Sequence, residues 1–203
     1  GGNFANIQTI VLYKGTPSDP NAPYPNTYHI VTNDAAVDAG KLLTIYGTPV
    51  ISDLVFDGSA EHDGAFRILS GTGNDTLTGS AGNDLIYGNL GADTLTGGGG
   101  SDTFLYTDAA QSAGTSVDHI TDFDAGDRID LSQIDADTTL AGDQAFAFIG
   151  ANAFGHHAGE LRASFDQGMW IIQGDTDGDG NADFTLLVTT QNNHAIVAGD
   201  FVA

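Results

Sequence analysis

Residues 70–105 consist of four rows of nine residues, and this stretch decides the fold. The rows read SGTGNDTLT (70–78), GSAGNDLIY (79–87), GNLGADTLT (88–96) and GGGGSDTFL (97–105). The fourth position of each row is a glycine, the sixth an aspartate and the eighth an apolar residue. The three columns are Gly73, Gly82, Gly91 and Gly100; Asp75, Asp84, Asp93 and Asp102; and Leu77, Ile86, Leu95 and Phe104. Three columns that keep one register over four rows indicate an internal repeat.

Each row predicts a tight turn followed by a very short strand. The glycine-rich half tolerates the positive φ angles that a tight turn needs, and the aspartate ends the turn. The next three residues form a strand whose central apolar side chain points inward. Such short strands cannot stand alone, so the rows must stack. Two rows then make one coil between two facing parallel sheets, and we expect Asp75 to face Asp93 and Asp84 to face Asp102.

Aspartates that face each other across neighbouring coils indicate a cation site. Two carboxylates a few ångströms apart either raise a pKa or collect a cation. Carboxylates and turn carbonyls are hard oxygen donors, which suit the flexible coordination of Ca²⁺ better than the strict octahedron of Mg²⁺. The repeat therefore predicts several Ca²⁺ ions. The alternative is a metal-free glycine-rich solenoid, against which the regular aspartate column argues. An aspartate in every row also disfavours a phosphate-binding loop.

The composition of the whole chain excludes several classes of protein. Its 203 residues include 27 acidic and 5 basic residues, a formal net charge of −22, and only Glu61 and Glu160 are glutamates. Aspartate and glycine favour turns over helices. Binding to nucleic acids or anionic membranes needs clustered Lys and Arg, which this sequence lacks, and no apolar run predicts membrane insertion. The absence of cysteine excludes disulfides and thiolate metal sites.

Irregular strands are predicted on both sides of the repeat. Residues 1–69 should begin the same ladder and cap its open end, with Gly15–Pro25 as a proline-rich surface loop. The strands expected before the repeat are Ile7–Tyr13, Thr27–Thr32, Leu42–Tyr46, Leu54–Phe56 and Phe66–Leu69. Those expected after it are Asp118–Phe123, Arg128–Leu131, a hairpin of Glu160–Phe165 and Met169–Gln173, then Phe184–Val188 and Ala195–Val202. Asn152–His156 is predicted as a helical turn.

A second acidic motif, DTDGDG, has the oxygen spacing and the sixth-position glycine of an EF-hand loop. Its carboxylates belong to Asp175, Asp177 and Asp179. Leu186 stands where the final glutamate of such a loop is expected, and Asp183 could supply an oxygen at the ninth position. A calcium loop and a solvent-exposed hairpin turn are both open interpretations.

Other polar clusters have simpler interpretations. Asp57, Glu61 and Asp63 are interpreted as a surface loop, and His156 with His157 as an exposed pair. The chain contains no H-E-x-x-H motif, no G-x-S-x-G motif and no cysteine nucleophile. We therefore expect no catalytic site in this chain, and the active site of an enzymatic parent protein would lie upstream.

The rows resemble the RTX (repeats-in-toxin, or hemolysin-type) nonapeptide GGxGxDxUx of proteins exported by bacterial type I secretion. The segment after them resembles the C-terminal domain of the serralysin family of secreted metalloproteases. The matching stretches are DTFLY (102–106), VDHITDFDAGDRIDLSQIDA (117–136), AGELRASF (158–165) and GDTDGDGNADFTLLV (174–188). The terminal DFVA (200–203) is similar to the acid-plus-hydrophobic tail that type I exporters read. Together the resemblance covers residues 70–203.

The resemblance implies that each calcium lies between rows n and n+2. Its ligands would be the aspartate carboxylate and the carbonyls at the second and fourth positions of each row. In this chain they are Gly71, Gly73 and Asp75; Ser80, Gly82 and Asp84; Asn89, Gly91 and Asp93; and Gly98, Gly100 and Asp102. Ser80 and Asn89 replace the usual glycine but keep the carbonyl. Beyond the rows the family pattern places ligands at Gln111, where an acid is common, and at Asp118.

The sequence thus predicts an all-β protein built on a right-handed parallel β-roll. An irregular β cap (1–69) precedes the RTX rows (70–105), and a serralysin-like β domain (106–203) follows them and ends in a type I secretion signal. The predicted function is a calcium-binding module that folds when Ca²⁺ binds outside a Gram-negative cell, as part of a larger exported protein such as a metalloprotease. Its predicted partners are calcium ions and the type I exporter.

Two other functions are weighed against this one. The alternative is a structural or adhesive S-layer or biofilm-matrix protein that self-associates through calcium. A polysaccharide-binding module would need a basic or aromatic stripe along the roll, and rows 70–105 have none.

Overall fold

The structure, a computed structural model, describes residues 8–12, 27–48 and 52–203, which form a nearly all-β fold. Within these ranges, no helix has the length and apolar character needed to cross a membrane. The strands are β1 Thr9–Val11, β2 Thr27–Val31, β3 Leu42–Tyr46, β4 Asp53–Asp57, β5 Ala65–Leu69, β6 Thr76–Thr78, β7 Leu85–Tyr87, β8 Thr94–Thr96, β9 Thr103–Leu105, β10 Asp118–Phe123, β11 Arg128–Asp130, β12 Ala147–Phe148, β13 Glu160–Asp166, β14 Met169–Asp175, β15 Phe184–Thr190 and β16 Phe201–Val202. Short 3₁₀ helices span Ala109–Ser112 and Ala198–Asp200.

The rows alternate between two sheets, as their period predicts. One sheet has the order β1-β3-β5-β7-β9-β11-β16, and the other has the order β12-β13-β14-β15-β10-β8-β6-β4-β2. Within the repeat, rows n and n+2 pair in parallel: Leu77 lies beside Leu95, and Ile86 lies beside Phe104. The predicted parallel β-roll is confirmed.

One apolar side chain per row fills the space between the two sheets. Leu77, Ile86, Leu95 and Phe104 are almost completely buried, whereas the residues on either side of each are exposed or half-buried. This alternation follows from the two-residue period of a strand. The flanking strands continue both apolar columns in register, through Phe56 beside Leu77, Ile68 beside Ile86, Ile120 beside Leu95 and Ile129 beside Phe104.

The strands before the repeat extend both sheets, so the ladder begins before the repeat, as predicted. β1, β3 and β5 lie in the sheet of β7, and β2 and β4 lie in the sheet of β6. β2 to β5 match the predicted strands to within one residue at each end. Of the predicted strand Ile7–Tyr13, Thr9–Val11 forms. Ile7, Tyr13 and the predicted loop Gly15–Pro25 lie outside the described residues.

After the repeat, an antiparallel hairpin widens the second sheet. β13 pairs with β14, and β14 pairs with β15, which returns to lie parallel to β10. The hairpin turn is made by Gln167 and Gly168, whose φ angles of 48° and 89° are both left-handed. Two left-handed residues match the twist of a tight hairpin. The predicted hairpin is confirmed, and its strands extend through Asp166 and Asp175.

Two predictions after the repeat are wrong. Asn152–His156 is not helical, because its polar groups bond outside the segment: Gly155 N–H donates to Glu160 Oε2 (2.6 Å), and His156 Nδ1 lies 2.9 Å from the Asp179 carbonyl. Ala195–Val202 is a strand only at Phe201–Val202. The Asp200 carboxylate accepts the Val197 N–H (2.8 Å) and closes the 3₁₀ turn that precedes this strand.

The packing of the apolar side chains between the two sheets can be tested directly. We expect Ile86→Ala to lower the free energy of unfolding of the calcium-loaded protein by about 2–5 kcal/mol, because it empties a fully buried position between the sheets. Leu90→Ala is the control, since Leu90 is 43% exposed in a turn and its loss should stay within about 0.5 kcal/mol. Urea unfolding at saturating calcium measures both, and equal losses would contradict the packing.

Candidate calcium sites

A first column of aspartates runs along one edge of the roll, at the start of β6, β8 and β10. Each carboxylate accepts a hydrogen bond from a backbone N–H of the preceding coil. Leu54 N–H donates to Asp75 Oδ1 (2.7 Å), Asp75 N–H to Asp93 Oδ1 (2.8 Å), and Asp93 N–H to Asp118 Oδ1 (2.8 Å). The predicted facing of Asp75 and Asp93 is confirmed, and Asp118 continues the column beyond the rows.

A second column runs along the opposite edge, at the start of β7, β9 and β11. Phe66 N–H donates to Asp84 Oδ1 (2.5 Å), Asp84 N–H to Asp102 Oδ1 (2.8 Å), and Asp102 N–H to Asp127 Oδ1 (2.9 Å). Asp127 was not among the predicted site residues. The signal that could have revealed it is its spacing, because Asp127 follows Asp118 by nine residues, the interval of the repeat.

The carboxylates of both columns are buried, and two carboxylate oxygens of the first column have no hydrogen-bond partner. Within the described residues, the buried side-chain atoms with no hydrogen-bond partner are Asp93 Oδ2, Asp118 Oδ2 and the Tyr106 hydroxyl. Tyr106 lies close enough to interact with the Asp118 carboxyl, although the two do not meet full hydrogen-bond geometry. Buried anionic oxygen without a partner is costly, and an oxygen-binding cation would satisfy it. The donor set of the columns therefore fits Ca²⁺.

The first glycine of a row leaves room for the carboxylate of that row. A Cβ on Gly79, Gly88 or Gly97 would overlap the Oδ2 atom of the aspartate five residues later. In the first row a serine takes this place, and the Ser70 hydroxyl donates to Asp75 Oδ2. The first position of each row is therefore small because the carboxylate folds back over it.

The turn carbonyls of successive coils also approach one another closely. A Cβ on Gly91, Gly98 or Gly100 would overlap the carbonyl oxygen of the residue two rows earlier, and all three glycines have left-handed φ angles. Those carbonyls belong to Gly73, Ser80 and Gly82, which are ligands that the family pattern implies. Asn89 adopts the left-handed conformation itself (φ 68°), which asparagine tolerates better than most residues.

Burial raises the pKa of the column carboxyls, because the charged form loses its water. The pKa of Asp93 rises to about 8, chiefly through burial and secondly through the neighbouring Asp118 carboxylate. Burial also raises the pKa of Asp102 and of Asp118 to about 7 and that of Asp75 to about 6. Without a cation these groups hold protons close to neutral pH.

Gln111 lies in the 3₁₀ helix that follows the last row, and it is buried. Both atoms of its side-chain amide are hydrogen-bonded. The carbonyl oxygen accepts from Thr107 N–H, and the amide nitrogen donates to the hydroxyls of Tyr87 and Thr107. The next residue, Ser112, accepts the Asp118 N–H at 2.9 Å.

The second acidic motif brings three of its four predicted residues together. The carboxylates of Asp175, Asp177 and Asp183 have oxygens within 4.8 Å of one another. Asp175 is fully buried, and its two oxygens accept from Gly178 N–H (2.7 Å) and Gly180 N–H (2.9 Å). Asp179 lies outside the group, where its carboxylate accepts from Asn181.

The interpretation of Asp57, Glu61 and Asp63 as a surface loop is wrong for Glu61, which is 0% exposed. Glu61 accepts from Val37 N–H (3.0 Å) and Gly64 N–H (3.1 Å). Asp34, not Asp57, completes the acidic group with Glu61 and Asp63. Asp57 lies elsewhere, where its carboxylate accepts from the backbone and hydroxyl of Ser59. His156 and His157 are exposed, as predicted.

Because these pKa values are raised, calcium affinity and the stability of the calcium-free fold should change with pH in opposite directions. Between pH about 4 and about 8 the folded apo chain binds protons that the unfolded chain has released, so its stability falls as pH rises. Calcium must displace those protons, so its affinity should increase over the same range. Calorimetry at neutral pH in two buffers of different ionisation enthalpy should detect proton release. Equal affinity at pH about 5.5 and about 8 would contradict the burial of these carboxyls.

The glycine at the start of a row can be tested with a matched control. Gly88→Ala should lower the free energy of unfolding at saturating calcium by about 1–3 kcal/mol, because the new methyl group overlaps Asp93 Oδ2. At Gly99 the nearest atom to an added Cβ is 3.5 Å away, so Gly99→Ala should leave stability unchanged or raise it by about 0.4–1 kcal/mol. Calcium titration followed by unfolding measures both. A neutral Gly88→Ala would show that the carboxylate does not lie over this glycine.

Comparison with known proteins agrees with this geometry. The family model described as the Peptidase M10 serralysin C terminal matches residues 62–203. Among solved structures, the chain is similar to the AlgE6R3 subunit of the Azotobacter vinelandii mannuronan C5-epimerase, determined in solution. The identity is 30% and the TM-score 0.50, over 77% of this chain and 82% of that chain. A search of curated proteins gave no match. The chain belongs to the serralysin C-terminal family of peptidase family M10 and is a calcium-binding RTX β-roll.

Proposed function

We propose that this chain is a folding switch operated by calcium, which is unfolded at cytosolic calcium and folds outside the cell. The observation that carries the proposal is the pair of buried aspartate columns with unpartnered oxygen at Asp93 and Asp118. At neutral pH the apo fold must either hold protons on these groups or bury bare charge. A bound cation removes this cost in the folded state only, so binding and folding are coupled.

The proposed ligands are the column carboxylates together with the turn carbonyls that approach them. Asp127 is added to the predicted set, because it occupies the same position in the second column as Asp118 does in the first. The proposed row ligands are Gly71, Gly73, Asp75, Ser80, Gly82, Asp84, Asn89, Gly91, Asp93, Gly98, Gly100 and Asp102. Asp175, Asp177 and Asp183 are proposed as a separate group, supported by their convergence within 4.8 Å.

The magnitudes fit a switch. Extracellular calcium modules bind with Kd of about 10⁻⁴–10⁻³ M. At about 2 mM calcium and a Kd of about 10⁻⁴ M, each site stabilises the folded state by about 1.8 kcal/mol. Several such sites supply an amount comparable to the whole stability of a domain, about 5–15 kcal/mol. At submicromolar calcium the same relation gives almost nothing, while repulsion among the acidic side chains persists.

The C-terminal tail supports coupling of this switch to type I export. Phe201–Val202 forms β16, which pairs with β11, and the Phe201 ring packs 5.3 Å from that of Phe148. Asp200 is buried and lies 3.1 Å from His194 Nε2. Asp200 and Phe201 are thus engaged in the folded chain, and an exporter that reads this acid-plus-hydrophobic tail would meet both of them free in the unfolded chain. The order of events would therefore be recognition, export, calcium binding and folding, with any catalytic domain of the parent protein carried along.

Circular dichroism with and without a calcium chelator tests the switch. We expect a largely unstructured spectrum in chelator at low salt and a β spectrum at about 2 mM calcium, while magnesium at the same concentration should not restore the fold. Asp93→Asn with Asp102→Asn should shift the calcium midpoint to higher concentration, because each column loses one carboxylate. A chain that is fully folded in chelator at neutral pH and low salt would refute the proposal.

Assembly through calcium is the second candidate, and the N-terminal edges of the two sheets favour it. Among the described residues, β1 and β2 each pair with a strand on one side only. Val11 and Val31 on these strands are 41% and 60% exposed. Unpaired edges with apolar residues can add further strands. Sedimentation during a calcium titration separates the candidates: ordered polymers indicate assembly, and a compact monomer indicates the folding module.

A further inference from the structure

Three buried polar atoms without a hydrogen-bond partner lie close together at the first aspartate column. They are Asp93 Oδ2, Asp118 Oδ2 and the Tyr106 hydroxyl, and no other buried side-chain atom of the described residues lacks a partner. The Tyr106 hydroxyl lies beside the Asp118 carboxyl, and the Asp93 carboxylate is near enough to act on it electrostatically. Buried polar atoms in folded proteins are almost always hydrogen-bonded. Three exceptions at one place therefore indicate a shared ligand.

Tyr106 reaches this place from the opposite sheet. It directly follows β9, and its N–H donates to the Asp130 carbonyl (2.9 Å) at the end of β11. Its ring packs edge-to-face against Phe184 of β15, with 5.2 Å between the ring centroids and 74° between the ring planes. The side chain is almost completely buried, so its hydroxyl does not turn to solvent. The backbone and the ring together hold the hydroxyl at the first column.

The Tyr106 hydroxyl differs from the other hydroxyl that faces this column. At the start of the column, the Ser70 hydroxyl donates to Asp75 Oδ2 and so satisfies the free oxygen of that carboxylate. The Tyr106 hydroxyl lies beside Asp118 without full hydrogen-bond geometry, and both atoms remain without a partner. A direct hydrogen bond therefore does not account for the placement of the tyrosine hydroxyl.

A cation bound among the three atoms would satisfy all of them. A neutral phenol oxygen carries two lone pairs, so it can offer one of them to a cation as a carbonyl oxygen does. Calcium takes six to eight oxygen ligands in flexible geometry, which leaves room for a phenol oxygen beside carboxylates and turn carbonyls. A water molecule could also bond to the three atoms, but it would leave the charges of two neighbouring carboxylates uncompensated.

We propose that the Tyr106 hydroxyl is an oxygen ligand of the calcium ion that Asp93 and Asp118 bind. The backbone of Tyr106 is bonded to β11 in one sheet, whereas Asp118 begins β10 in the other. An ion bound to both residues therefore connects the two sheets across the core, so this site forms only when the sheets have packed together. The inference rests on the proposed function, because it adds a ligand to one of the same calcium sites.

Tyr106→Phe tests the proposal by removing one oxygen atom while the ring stays against Phe184. Replacing an unpartnered buried hydroxyl by an apolar group is otherwise neutral or favourable to folding, so without an ion contact the variant would need the same calcium concentration or less. With the contact, we expect the calcium midpoint of folding to rise by about two- to tenfold. Tyr46→Phe is the control, because Tyr46 is exposed at the end of β3, and its midpoint should not change. Circular dichroism during a calcium titration measures all three proteins.

A crystal structure of the calcium-loaded unaltered chain decides independently, and it suffices if Tyr106→Phe does not fold. We expect an ion about 2.3–2.6 Å from the Tyr106 hydroxyl oxygen and from carboxylate oxygens of Asp93 and Asp118. Two results would overturn the proposal. One is a Tyr106→Phe midpoint equal to or below that of the unaltered chain, and the other is an ion at Asp93 and Asp118 beyond bonding distance of the hydroxyl. Failure of the proposed function is a separate result, namely an unaltered chain that is fully folded in chelator.

Discussion

The desolvation of stacked aspartate carboxylates is the constraint on which the rest of this structure depends. Each of these side chains has two tasks. One oxygen accepts an N–H from the preceding coil, as Asp93 does from Asp75 at 2.8 Å, and so sets the distance and register between coils. At Asp93 and Asp118 the other oxygen is buried without a hydrogen-bond partner. The carboxylate therefore aligns the coils through its hydrogen bond, while its buried charge opposes their stacking.

The glycines and the short strands follow from that constraint. A three-residue strand offers one inward side chain, so the apolar columns of Leu77 and Ile86 stabilise the roll only when many rows are stacked. Stacking at this spacing brings the backbone of one turn against the carbonyl of another, which explains Gly91 over Gly73. It also folds the carboxylate over the start of its own row, which explains Gly88 below Asp93. Glycine is therefore required at these positions both by the placement of the carboxylates and by the conformation of the turns.

The periodic part of this fold could be predicted from sequence because each of its interactions repeats every nine residues. Asp127 was missed because 25 residues, and not the 18 of the repeat, separate it from Asp102; Asp118, equally far from Asp93, was predicted only from the family pattern. Glu61 was misinterpreted because its partner Val37 lies 24 residues earlier, in an irregular segment with no repeat to indicate the contact. The helical turn predicted at Asn152–His156 does not form, since the His156 ring bonds to the Asp179 carbonyl, 23 residues later, and the Gly155 N–H bonds to Glu160. The sequence pattern predicts the contacts that recur every nine residues. It does not predict the structure of irregular segments that depend on hydrogen bonds to residues far away in the sequence.

The two ends of the first column show how the roll limits its own charge. At the beginning, the Ser70 hydroxyl donates to the free oxygen of Asp75. At the end, Ser112 accepts the N–H of Asp118, and Gln111 joins the last turn to Asn89 without a charge. Unpartnered carboxylate oxygen is found at Asp93, in the middle of the column, and at Asp118, its last member. The Ser70 hydroxyl satisfies Asp75, so the electrostatic cost of forming the column lies at Asp93 and Asp118. In the proposed switch calcium therefore acts where a stacked carboxylate lacks a hydroxyl donor, and a hydrogen bond suffices at Asp75, where Ser70 supplies one.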